Sequence, residues 1–128
     1  MNWTNALIIL AFVALAYIVR RSGEISSTAA LKHLKSGALV IDVRSRGEFS
    51  SGHLPNAINL PLDEIEIALP RRVQDKGHVL LLHCQSGMRS GVAKRRLKSM
   101  GYSRAFNLGS YARAARIAGA GRAPSDGV

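Results

Sequence analysis

Cys84 is the only cysteine in the chain, and its surroundings are those of a nucleophile. It ends the apolar run "GHVLLLHC" (Gly77–Cys84). Gly87 and Arg89 follow, and "SGVAKRRLKSMGY" from Ser90 sets Val92, Ala93, Leu97 and Met100 at helical spacing. Strand, tight loop and helix start in succession bring the sulfur to the C-terminal edge of an α/β sheet, where such sheets bind ligands. Gly87 lets the loop curl its N–H groups inward into an anion-binding nest. The helix start adds partial positive charge, and Arg89 adds a full one. All of these favour the thiolate, which is the nucleophilic form. The sequence therefore predicts Cys84 and Arg89 as catalytic residues. Gln85, Ser86, Gly87, Met88 and Ser90 form the loop that binds an anion beside them. A free cysteine is often just a small buried residue; the strand, glycine and arginine around this one point the other way.

Other elements must hold that loop. "ALVIDV" (Ala38–Val43) is a second short apolar run ending in polar residues, the pattern of a buried strand opening on a site. "AINL" (Ala57–Leu60) and "RAFNL" (Arg104–Leu108) are two further strands. Helices are predicted from a cap at Ser26 or Ser27 to about Lys35, over Leu62–Pro70 with Pro70 as its stop, from Ser90 to a Gly101 stop, and over Tyr111–Ala118. Strands alternating with helices predict an α/β fold with a central parallel sheet covered on both faces. Asp42 and Arg44 close the first strand on the same edge as Cys84. They are read as structural support, Asp42 through hydrogen bonds to the loop or its neighbours and Arg44 by pairing with Glu48. An ionised cysteine needs neither as acid or base. His83 points to the face opposite Cys84 and is read as a core residue. One cysteine and four scattered histidines give no metal-ligand spacing.

Two stretches carry a family resemblance. "HCQSGMRS" (His83–Ser90) resembles the active-site loop of the rhodanese family of sulfurtransferases. "IDVRSRGEFSSGHLPNAINLP" (Ile41–Pro61) resembles its other signature, and "LKSMGYSRAFNLGS" (Leu97–Ser110) its closing portion. The resemblance covers about residues 24–118. It implies a rhodanese-like three-layer fold and a persulfide on Cys84, drawn from a donor such as thiosulfate and passed to a thiol, protein or cyanide acceptor, with no metal or organic cofactor. It makes His53, in "GHLP", a loop-ordering residue. Related phosphatases and arsenate reductases have a loop one residue longer than the six residues Cys84–Arg89, so the count favours sulfur transfer. A binding module that keeps the fold without the chemistry is the alternative; the intact cysteine and arginine oppose it. One departure stands out: the family often closes with Gly-Gly and a tryptophan, whereas this chain has Gly109-Ser110 and no tryptophan in Tyr111–Ala118.

The N-terminus reads differently. Trp3–Val19 carries no charge, Ala6–Val19 is almost unbroken apolar, and Arg20-Arg21 follow. The uncharged start and the basic flank favour a membrane anchor over a cleaved signal peptide. The positive-inside tendency then places the N-terminus outside the cell membrane and the catalytic domain in the cytoplasm. The expected domains are an anchor over 1–21 touching the membrane through residues 3–19, a rhodanese-like domain over 22–118, and a disordered tail over 119–128. The chain carries a net charge of +10, which draws anions without choosing among them. Its basic run "AKRRLK" lacks interleaved aromatic residues and is read as a solvated face near anionic lipid, not a nucleic-acid surface.

Overall fold

A computed structural model describes residues 2–120, the side chains of residues 20–22 excepted. The elements run α1 (Trp3–Ser22), α2 (Ser27–Lys35), β1 (Leu39–Asp42), α3 (Arg46–Ser50), β2 (Ile58–Asn59), α4 (Ile65–Arg72), β3 (Leu80–His83), α5 (Met88–Ser99), β4 (Ala105–Gly109) and α6 (Tyr111–Ala120). The four strands form a parallel sheet in the order β2-β1-β3-β4. The two clearest apolar runs of the sequence, β1 and β3, lie side by side at its centre.

Helices cover both faces. Leu80 and Leu82 of β3 pack with Ile65 and Leu69 of α4 and with Ala93 and Leu97 of α5. Leu81 points the other way, toward Ala30 of α2 and Ala114 and Ile117 of α6. This is the two-residue alternation of a strand between two layers. All three leucines are fully buried, each stabilising the fold by about 2 kcal/mol relative to exposure. Beyond β4, Glu24 forms an isolated parallel bridge to Asn107, and the Ile25 N–H donates to the Asn107 carbonyl at 2.9 Å. The segment before α2 is thereby tied to the sheet edge.

Some boundaries differ from those read off the sequence. Ser26 is the cap of α2, its hydroxyl accepting from the Ala29 N–H. Pro70 does not stop its helix, because α4 begins at Ile65 and runs through Pro70 to Arg72. In so short a helix, a proline this close to the end forfeits a single backbone bond. α5 begins at Met88, two residues before the predicted start, because Gly87 at φ +90° caps it without a side chain. Gly119 and Ala120 belong to α6; the rest of the tail predicted for 119–128 lies outside the described residues.

The membrane anchor is overturned. The N-terminal helix forms, but among the described residues no helix is long and apolar enough to cross a membrane. From Trp3 to Val19 the helix extends about 25 Å at roughly 1.5 Å per residue, short of the roughly 30 Å hydrocarbon core. Thr4 and Asn5 shorten its apolar part further. The single-pass topology, outside N-terminus and cytoplasmic placement lose their basis with it. Large side chains along α1 are exposed, Leu10 and Phe12 by more than 60%.

Candidate active site

Three strand ends meet at one edge of the sheet. β1 delivers Asp42 and Arg44, β3 delivers Cys84, and β4 delivers Asn107 and Gly109. The Cys84 side chain lies in the apolar cluster beneath α4 and α5 and is fully buried. The loop after it is fixed from below. The Cys84 N–H donates to the Gly109 carbonyl, the Tyr111 N–H donates to the Gln85 carbonyl, and Ser86 bridges Ser110.

The loop turns its donors on the sulfur. The Gly87 N–H lies 3.0 Å from Cys84 Sγ and the Ser90 hydroxyl 3.6 Å from it. Burial alone pushes the thiol up; the Ser90 hydroxyl and the N–H groups of Ser90, Ser86 and Gly87 outweigh it and bring it below its ordinary value. Gly87 is required here. A Cβ at this φ would lie 3.2 Å from a Glu24 carboxylate oxygen and 3.3 Å from the Gly109 backbone. Among the other loop residues, Gln85, Ser86 and Met88 are exposed and Ser90 is buried.

The charged residues pair differently from the sequence reading. Arg44 does not pair with Glu48. Its guanidinium holds Asp42 through Nε at 3.0 and 3.1 Å and through Nη2 at 2.8 Å, and Nη2 also donates to the Gly52 carbonyl at 2.8 Å. Both Asp42 and Arg44 are buried, and Arg44 stacks over the Tyr111 ring at 4.7 Å. Two residues apart on an extended chain, they share one side of the strand end, so the nearer carboxylate wins. Glu48 instead takes Arg89 in a two-point pair at 2.6 and 2.9 Å. Glu48 also completes a capping box with Ser45, and the Arg89 guanidinium holds its carboxyl down at about 2. Arg89 therefore stands beside the loop with its charge shared by a carboxylate.

His53 reaches into no catalytic contact. Its Nδ1 meets the Phe49 carbonyl at 2.9 Å and its ring stacks on Phe49 at 3.8 Å. His83 is fully buried, with Nε2 3.8 Å from Asp42 and its ring edge-on to Tyr111; burial, first, pushes its imidazole below the ordinary value.

Asn107 was not singled out in the sequence. It is 5% exposed and ties two points of the loop to the end of its own strand. Nδ2 donates to the Gly87 carbonyl at 3.1 Å, and Oδ1 accepts from the Ser90 hydroxyl at 2.7 Å and from the Gly109 N–H at 2.9 Å. An asparagine inside an otherwise apolar strand was the available signal, since such a group is costly to bury without partners.

Residues 26–114 match the family model of the rhodanese-like domain. The thiosulfate sulfurtransferase PspE of Escherichia coli K12 is 38% identical over 69 residues, 54% of this chain and 66% of that protein. A tRNA sulfurtransferase of Thermoplasma acidophilum is 36% identical over 64 residues, 50% of this chain and 12% of that protein. The chain thus spans two thirds or less of the length of these curated relatives. Among solved structures, the human single-domain sulfurtransferase TSTD1 superposes with a TM-score of 0.64 at 32% identity, over 73% of this chain and 96% of that one. A rhodanese with anions from E. coli gives 0.58 at 34% identity, over 60% and 91%.

Proposed function

The chain belongs to the rhodanese-like domain family, and from that premise we propose that it is a sulfurtransferase working through a persulfide on Cys84, with residues 22–118 as the working unit. The observation that carries the reading is the sulfur itself: a buried lone cysteine with the Gly87 N–H at 3.0 Å and its thiol held below the ordinary value. The curated relative PspE, named for thiosulfate, makes thiosulfate the donor to try first.

The Cys84 thiolate attacks the outer sulfur of thiosulfate. A new S–S bond forms, the old S–S bond breaks, and sulfite leaves with its electron pair. Cys84 then carries the persulfide, its negative charge on the outer sulfur and cradled by the loop N–H groups and the α5 N-terminus. An acceptor thiolate or cyanide attacks that outer sulfur and releases the Cys84 thiolate. Neither step requires a general acid or base. Arg89 lends positive charge to the approach of the anionic donor, while Glu48 holds the guanidinium in place. Asp42, Arg44 and His53 support the loops around the site and touch no reacting atom.

The test is turnover of the full chain with thiosulfate and cyanide, read as thiocyanate, beside a phosphate-ester assay on the same samples. Thiocyanate formation that is lost in Cys84→Ser, without phosphate release, is the expected result. Phosphate release, or thiocyanate formation that survives Cys84→Ser, overturns the reading.

A further inference from the structure

The Ser90 hydroxyl has one proton and two claimants. The Asn107 amide is oriented without ambiguity: the Gly109 N–H can only donate, so Oδ1 faces it, and the Gly87 carbonyl can only accept, so Nδ2 faces that. The amide oxygen is therefore what Asn107 presents to Ser90 Oγ, at 2.7 Å, while Cys84 Sγ lies at 3.6 Å. In this arrangement the proton belongs to Asn107, and Oγ turns a lone pair toward the sulfur. That arrangement suits a neutral sulfur. A thiolate needs the proton instead, and the hydroxyl must rotate to supply it. Asn107 tolerates the loss because Oδ1 keeps the Gly109 N–H.

We propose that Asn107 is a positioning residue which competes with Cys84 for the single Ser90 proton and so favours the sulfur-loaded enzyme over the free thiolate. The second half rests on the persulfide reading above. In the free thiolate the charge sits on Sγ and draws the Ser90 proton away from Asn107. In the persulfide the charge has moved to the outer sulfur, Sγ is uncharged, and the proton returns to Asn107. No proton enters or leaves the site; a hydroxyl rotates. All three groups are buried, Cys84 and Ser90 fully and Asn107 at 5% exposure.

The test is a double-mutant cycle on the full chain, read by the rate of Cys84 alkylation with iodoacetamide across pH. At a pH below the wild-type midpoint, Ser90→Ala should slow alkylation about tenfold, the effect of losing one hydrogen bond to a charged group. Asn107→Ala should speed it several-fold, by leaving the proton to the sulfur, and should have no effect in the Ser90→Ala background. Asn107→Asp, a stronger acceptor, should slow alkylation, and more so with Ser90 present than without it; this variant carries the test if Asn107→Ala does not melt cooperatively. In a fixed mixture of thiosulfate and sulfite at a pH above the wild-type midpoint, Asn107→Ala should also lower the ratio of persulfide to free thiolate several-fold. Slower alkylation in Asn107→Ala, or equal effects of either Asn107 variant with and without Ser90, overturns the proposal. If wild type takes up no sulfur, the persulfide reading and the claim of favoured loading fall, while the alkylation cycle still decides the proton competition.

Discussion

Replacing Gly87 by alanine tests the loop at its tightest point. The residue sits at φ +90°, where a Cβ costs about 1–2 kcal/mol. The new methyl would also meet Gly109 Cα and C at 3.3 Å and Glu24 Oε1 at 3.2 Å. The carboxylate can swing aside. The Gly109 backbone cannot, because its carbonyl accepts from the Cys84 N–H. Overpacking of this kind adds about 1 kcal/mol or more. The total is about 3 kcal/mol, which lowers Tm by roughly 12–24 °C in a domain of this size. Any relief of the clash moves the Gly87 N–H away from the sulfur, so alkylation of Cys84 below its midpoint should slow about tenfold. Gly37→Ala is the control: φ is +93° there, but nothing lies within 4 Å of the added methyl. It should lose about 1–2 kcal/mol from backbone strain alone and leave the alkylation rate unchanged. Calorimetry and a pH series of alkylation read both quantities. A Gly87→Ala protein with wild-type Tm and wild-type alkylation would refute the reasoning, and so would a Gly37→Ala protein that also loses thiol reactivity.

Glu48→Gln removes the negative charge from Arg89, so sulfate should inhibit sulfur transfer several-fold more strongly; unchanged inhibition would mean that the pair does not tune anion binding. The Glu48 carboxyl is depressed from 4.5 to about 2, so the stability its ionisation contributes is fully present above pH 4.5 and is lost as pH falls toward 2. Melts across that window should show wild type losing more stability than Glu48→Gln, and parallel curves would contradict this. Asp42→Asn strands the buried Arg44 guanidinium without its carboxylate and should cost about 3 kcal/mol, seen as a Tm lower by roughly 12 °C or more. The folded variant should still take up sulfur, since Asp42 touches no reacting atom.

The sheet was legible because its two central strands are unbroken apolar runs with polar ends, β1 and β3, and because the glycines at 37 and 101 mark where helices stop. The position of Cys84 followed from the same pattern. What the sequence hid depends on geometry between distant segments. Arg44 has acids at 42 and 48, and only the strand end shows that the nearer one takes it. Asn107 looks like a strand residue until β4 is set beside β3 with an irregular register at His83, which turns its amide onto the Gly87–Ser90 turn. The first helix misled for a different reason. Composition gave an apolar helix correctly, but hydrophobicity without sufficient length does not make a span.

The most direct test of the account is the intact mass of the full chain after incubation with thiosulfate, recorded with and without reductant. Wild type should gain one sulfur atom, removed by reductant and absent from Cys84→Ser. No gain in wild type, or the same gain in Cys84→Ser, would contradict it.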